Sequence, residues 1–328
     1  MKNKLIAVIA TLGMVASASA VKVNNNLSIN GFIDGSYQQT DLDNPTTNPT
    51  TTDKDQALGV DEVELNFITN VGNVDGVINI DSHDDLGDVE VEQAHITYSL
   101  DNGVSFTLGK YGSGLGFERE DPTSLYTFSR AYTTVDNGGA TEDDSFNLGN
   151  VDSNVVEGLT VAYSSDVYSI AASFENALST DAEDDELNLE LSFSYTGIDN
   201  VTLGGGYFFD NRSDSEAETD VLNLHASTSF GKLFLAAEYT ELSRGSNVGD
   251  GSDLDGYLVL ADYDFNDKLG VAVRVSSNEK TANSDYSKVT LAPNYAITES
   301  LGAIVEYSDV EDAGTDSNEF AIELLYTF

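Results

Sequence analysis

From residue 27 onward apolar side chains recur at every second position, and runs with helical spacing are hard to find. A period of two sends alternate side chains to opposite faces of a strand, so the chain reads as a succession of half-apolar strands. Leu187, Leu189, Leu191, Phe193 and Tyr195 alternate with Asn188, Glu190, Ser192 and Ser194, which leaves one face apolar and the other polar. The segments from Leu222 to Phe230 and from Leu269 to Val275 repeat the arrangement. At the C-terminus Phe320, Ile322, Leu324, Tyr326 and Phe328 share a face, with Leu325 the apolar exception opposite. Sixteen such segments can be placed, beginning near residues 27, 60, 74, 89, 104, 156, 167, 187, 201, 221, 233, 254, 269, 286, 301 and 319.

The connections are read as alternating between short and long. Seven are tight turns at one end, among them Asp101-Asn102-Gly103, Ser164-Ser165-Asp166, Gly231-Lys232 and Asn266-Asp267-Lys268. The other eight are expected to be longer and acidic. Asp181 to Glu186 crowd one, Asp210 to Asp220 another, and Asp309, Glu311, Asp312 and Asp316 a third. The first is the Thr/Asn/Pro segment 44–52, and by far the longest runs from Lys110 to about Val155.

An even-stranded meander with short turns at one rim and long loops at the other fits a closed antiparallel transmembrane β-barrel of about 16 strands. Closure has a physical cause: lipid supplies no hydrogen-bond partners, so a spanning sheet must pair every backbone group and keep no edge. Tyr98, Tyr163, Tyr168, Tyr195, Tyr207, Tyr239, Tyr263, Tyr295, Tyr307 and Tyr326 fall near strand ends on the apolar faces, where interfacial girdles belong. The soluble alternative is a β-sandwich or β-helix, which has no need for loops of alternating length.

Composition narrows the setting. The 328 residues include no cysteine, so disulfides and thiolate metal sites are excluded. A formal charge of -43 repels phosphate backbones, so no nucleic-acid partner is expected. Lys2 and Lys4, the apolar stretch Leu5 to Val15 and Ala18-Ser19-Ala20 form an export signal, residues 1–20, leaving 21–328 as the barrel domain. The alternative for this segment is a short buried helix. The setting expected is the bacterial outer membrane, with both chain ends on the periplasmic side.

The terminal Leu324-Leu325-Tyr326-Thr327-Phe328 resembles the last strand of bacterial outer-membrane proteins, in which a final Phe is read by the barrel-assembly machinery. That resemblance implies Tyr326 and Phe328 as an assembly signal. Leu108-Gly109-Lys110-Tyr111, Gly114-Leu115-Gly116-Phe117-Glu118 and Tyr126-Thr127-Phe128-Ser129-Arg130-Ala131-Tyr132 resemble the OmpL-like β-barrel porins. The layout is similar more broadly to the general porins of Gram-negative outer membranes, which implies a diffusion channel, a third long loop folded into the lumen, and assembly as a homotrimer.

If apolar positions face lipid, their alternates face water. The inward set is then Glu62, Glu64, Asn66, Gln93, His95, Thr97, Glu190, Asn223, His225, Glu238, Asp262, Arg274, Glu306 and Glu323, with Lys288 added by parity. Acids dominate, and carboxylate rings in a confined pore gather cations. The expectation is a cation-preferring channel for passive diffusion of small hydrophilic solutes. Glu118, Arg119, Glu120, Asp121 and Arg130 are candidates for the constriction, either as its filter or with the arginines pinning the loop to wall acids. The paucity of inward arginines argues against a strong transverse field.

Other chemistry is weakly signalled. Asp81-Ser82-His83-Asp84-Asp85 and residues 250–256 are rich in oxygen ligands but lack an EF-hand spacing, so diffuse divalent binding by the acidic loops is expected instead, with no cofactor. Gly204-Gly205-Gly206 opens no helix and reads as close packing within a strand. The histidines are His83, His95 and His225. His95 and His225 point away from lipid, so a lipid-cleaving enzyme is not expected. A pore-less adhesin or structural barrel with acidic surface loops is the rival to the channel.

Overall fold

The computed structural model describes residues 20–43, 52–83, 89–118, 121–132, 155–176, 187–211, 219–244, 253–281 and 284–328. The expected export signal, up to residue 19, lies outside this set. A two-residue strand, β1 (Val21–Lys22), precedes sixteen longer ones. These are β2 (Leu27–Asp43), β3 (Thr52–Val71), β4 (Val74–His83), β5 (Glu90–Ser99), β6 (Val104–Gly112), β7 (Val155–Ser164), β8 (Tyr168–Asn176) and β9 (Leu187–Ile198). They continue with β10 (Val201–Phe209), β11 (Thr219–Phe230), β12 (Leu233–Arg244), β13 (Leu254–Asp264), β14 (Leu269–Thr281), β15 (Ser284–Ala296), β16 (Leu301–Asp312) and β17 (Thr315–Thr327).

From β2 onward each strand pairs antiparallel with the next, and β17 returns to β2, from Phe32↔Thr327 to Asp43↔Asp316. The sheet is therefore a closed sixteen-stranded barrel. Its seam continues past the end of β17, where Phe328 and Gly31 exchange backbone hydrogen bonds of 3.1 and 3.2 Å. Ser28 and Ile29 already pair with β3 on their other side, so β1, which also pairs with them, extends the column that β17 ends.

The barrel is inverted relative to a water-soluble fold. Ile170, Phe193, Val259, Leu291 and Leu324 point outward and are 53%, 42%, 53%, 47% and 49% exposed, while the inward alternates Glu190, Arg274, Thr290, Glu306 and Glu323 are buried. In the register, the polar positions named from the sequence lie on one face of the sheet, opposite these apolar residues. Tyr98, Tyr163, Tyr168, Tyr195, Tyr263, Tyr295 and Tyr326 ring the short-turn rim, and Tyr207, Tyr239, Tyr257 and Tyr307 lie toward the other.

Two sequence expectations are corrected at the long-loop rim. β3 begins at Thr52, ahead of the expected residue 60, and β17 at Thr315, ahead of 319. Asp309, Glu311, Asp312 and Asp316 accordingly belong to a ladder and not to a loop. Ala313 (φ 51°) and Gly314 (φ 79°) close that ladder as a two-residue turn, since positive φ at both central positions matches the twist of the flanking strands. Thr281↔Ser284 likewise leaves only two residues between β14 and β15. Six of the eight connections at this rim are thus longer than the short turns' maximum of four residues. Beyond the membrane both faces of a hairpin meet water, so the strands continue there without apolar alternation.

The lipid-facing assignment predicts that Leu291→Arg, outward in the middle of β15, lowers the folding free energy in vesicles by about 2–4 kcal/mol. Thr97→Arg, which points into the lumen, should change it by much less. Reversible denaturant titration in lipid vesicles measures both; equal costs would contradict the orientation.

Candidate functional site

The chain leaves the wall at the end of β6 and re-enters it at β7. Between them, residues 113–118 and 121–132 lie inside the barrel, against the inner faces of β9 to β16, as the resemblance to the general porins implies. Two short limbs can be followed. Along the first, wall acceptors take loop donors in succession: Ser113 Oγ and Gly114 N donate to Glu190 of β9, the latter at 2.8 Å. Gly116 N donates to Asn223 Oδ1 of β11 (3.2 Å), and Phe117 N to Glu238 Oε1 of β12 (2.6 Å).

Glu118 then turns the loop onto β14. Arg274 Nη1 lies 2.7 and 2.9 Å from its two carboxylate oxygens, and Ala131 N donates to Oε2 at 3.0 Å, so one carboxylate ties both limbs to the wall. Arg274 also donates to Thr127 Oγ1 (2.7 Å) and Ser129 Oγ (3.2 Å). Ser129 in turn gives its N–H to Glu306 Oε2 of β16 at 3.1 Å and its hydroxyl to Oε1. Ser276 Oγ donates to the Ala131 carbonyl. Tyr132 donates to Glu238 Oε2 at 3.3 Å; burial, then the nearby Glu238 and Glu118, hold its phenol well above the usual tyrosine range, so it stays a neutral donor.

Apolar contacts complete the dock. Phe117, Tyr126 and Tyr132 pack with Leu258 and Leu260 of β13 and with Ala236, Ala272, Ala292 and Ile304, and the Tyr126 ring stacks on Phe234 at 4.9 Å. Leu115 enters a second cluster with Phe208, Val221, Leu242 and Leu254. Gly206 makes room for it, because a Cβ there would sit 2.5 Å from Leu115 Cδ2. Gly204 and Gly205 of the same run pack closely against His225 and the Asn223–Leu224 backbone of β11.

The tip of the loop reaches the far wall. Asp121 opens a single 3₁₀ turn, Pro122–Ser124, and its carboxylate comes together with Glu62 and Glu64 of β3, with one oxygen from each lying within 4.8 Å of the others. The predicted residues therefore separate into two groups. Glu190, Glu238, Glu306 and Arg274 are covered by the loop, and Glu118 is buried with them. Glu62 and Asp121 remain partly exposed, as does Arg130, whereas Glu64 is buried. Asp262 accepts from Asn294 at 3.3 Å, His95 packs edge-on to Tyr111, and Lys288 pairs with Glu319 at 2.6 Å. Arg119 and Glu120 lie outside the described residues. Tyr326 points to lipid, and its ring stacks on Phe328.

Sequence parity placed the wall residues but missed the dock. Leu254, Leu258 and Leu260 share the inward face of β13 while Tyr257 and Val259 occupy the outward one. Loss of alternation in that strand was the available signal for the loop's landing site.

A family profile described as Gram-negative porin matches residues 5–315. The fold is similar to that of OmpF from Salmonella typhi in complex with daunomycin, at 16% identity over 94% of this chain and 100% of that one, with a TM-score of 0.68. It is also similar to an anion-selective porin from Comamonas acidovorans (11% identity, 92% of this chain and 99% of that one, TM-score 0.67). OmpT, an outer membrane protein of Vibrio cholerae, aligns at 15% identity over 95% of this chain and 100% of its own, with a TM-score of 0.63. No curated protein matches the sequence.

The buried Arg274–Glu118 pair predicts a local opening. Removing one partner of such a pair costs about 3–5 kcal/mol, because the other charge stays buried without compensation. The chain has no cysteine, so a single one introduced at Ala131 reports on the loop through its rate of labelling by a water-soluble thiol reagent. Glu118→Gln should raise that rate at least tenfold while the folded barrel keeps its heat-dependent gel mobility; an unchanged rate would mean that the pair does not hold the loop.

Proposed function

This chain belongs to the Gram-negative porin family, and we propose that its outer-membrane channel passes small hydrophilic solutes by passive diffusion with a preference for cations. The observation that carries the preference is the meeting of Glu62 and Glu64 with Asp121 where the loop tip approaches β3. Low-dielectric walls focus the field of such a group, raising the local concentration of cations. Two of the inward cations are spent elsewhere, Arg274 on Glu118 and Lys288 on Glu319, while Arg130 of the loop stands near Glu62.

The roles divide accordingly. Glu62, Glu64 and Asp121 form the filter, with Glu120 and Arg119 adjoining it in sequence. Glu118, Arg274, Glu190, Glu238 and Glu306 hold the loop, and His95 and Asp262 line the water-filled wall. Tyr326 and Phe328 serve the assembly machinery, residues 1–20 direct export, and the barrels associate as homotrimers in the lipid. Diffuse divalent binding by the acidic loops supplements the filter, with no cofactor required.

Planar-bilayer recording in unequal KCl should give stepwise conductance and a zero-current potential of cation sign, whose size falls near 1 M salt, where the Debye length is about 3 Å. The combined change Glu62→Gln, Glu64→Gln and Asp121→Asn should move that potential toward zero. If the potential stays put, the filter lies elsewhere. Silence across repeated insertions of folded protein would favour a pore-less barrel.

A further inference from the structure

On the long-loop side of the dock, a cavity of about 270 Å³ opens between the second limb and the walls of β15, β16, β17 and β2. The charges in its lining are already spent. Lys288 is bonded to Glu319 at 2.6 Å, Glu306 accepts from Ser129 and Ser308, and Arg130 has contacts of its own and stands near Glu62. A charged solute would find its counter-charge here only by breaking one of these contacts. The Lys288–Glu319 pair can serve a neutral solute without coming apart, since an ammonium carries three donors and a carboxylate about four acceptor sites.

Two neutral donors in the lining are unspent. Tyr286, inward on β15, is only 7% exposed, yet its hydroxyl makes no hydrogen bond with the described residues. A phenol so deeply placed ordinarily has a partner. The hydroxyl of Thr40, which stands on β2 directly opposite Glu319, makes none with them either. On the loop side, Phe128 packs on the apolar dock with part of its surface and lines the cavity with another part. Such a lining suits a molecule with hydroxyls around its edge and C–H groups on its face. We infer that this cavity binds neutral pyranose monosaccharides. The C–H face of the sugar lies on Phe128, and its hydroxyls bridge Tyr286, Thr40 and the Lys288–Glu319 pair. The volume, roughly that of nine waters of about 30 Å³ each, has room for one such ring. The site rests on the diffusion-channel reading for access but not for binding. It gives the channel a preference among uncharged solutes, which a carboxylate filter alone does not do.

Methyl α-D-glucopyranoside is a suitable probe, with sorbitol as a neutral polyol that has no ring face. Saturation-transfer NMR on the full chain in a sugar-free detergent should detect binding of the glucoside at millimolar concentration and several-fold weaker binding of sorbitol. The double change Tyr286→Phe with Thr40→Val removes both hydroxyls and leaves every charge in place. It should weaken the glucoside at least about tenfold, the worth of two neutral hydrogen bonds, while heat-dependent gel mobility stays native. Sorbitol binding as tightly as the glucoside would overturn the inference, as would glucoside binding indifferent to the double variant. In bilayers, the glucoside should interrupt the current in the wild type and not in that variant. Conductance steps with no glucoside binding by NMR would sink the cavity assignment alone, whereas binding without any conductance would sink the channel reading and leave the cavity.

Discussion

The absence of hydrogen-bond partners in a lipid interior governs this molecule. A strand that crosses hydrocarbon must pair both its edges, and the only sheet without edges is one that meets itself. The β17–β2 ladder achieves this over twelve residue pairs, and the backbone bonds between Phe328 and Gly31 carry the closure past the last strand residue. Closure then fixes what each side chain can be. Alternate positions face acyl tails or water, so the period of two seen in the sequence is the imprint of two solvents on one sheet.

A polar interior has a second consequence, because wall groups that face water are also available to hold something placed in the lumen. Glu190, Asn223, Glu238 and Glu306 each accept a backbone N–H of the loop, bonds that do not depend on which side chains the loop carries, and the hydroxyls of Ser113, Ser129 and Tyr132 add to them. Arg274 is different. Fully buried, it is neutralised by a single loop acid, Glu118, and bonded to two loop hydroxyls. A buried guanidinium without these partners would be costly, so the loop and the wall position each other.

The barrel was legible because the lipid-facing rule is strict and local: Leu187 to Tyr195 needs no tertiary context to be read as a strand with one greasy face. Strand limits at the long-loop rim were not legible for the converse reason. Thr52 to Val60 and Asp309 to Asp316 have water on both sides, so their pairing leaves no apolar period, and only the turn at Ala313-Gly314 marks where the ladder ends. The site was half legible. Parity located Glu62, Glu64, Arg274 and Glu306 on the inner wall, but parity says nothing about which of them a returning loop covers. That information lay in the inward leucines of β13, which break the alternation because they meet Phe117, Tyr126 and Tyr132.

Docking therefore draws on the same stock of inward carboxylates that faces the lumen. Each inward acid that accepts a loop hydrogen bond beneath the apolar dock is removed from the water column, and each one left uncovered contributes to its potential. The loop lands on β9 to β16 and covers Glu190, Glu238 and Glu306. It leaves β3 facing its tip, where Glu62 and Glu64 meet Asp121. Moving the landing site by one strand pair would change which acids are exposed without altering the composition of the wall. In a barrel whose strands are otherwise interchangeable in pattern, the path of the loop, set by Arg274 and the apolar face of β13, decides which wall carboxylates are covered and which still face the lumen.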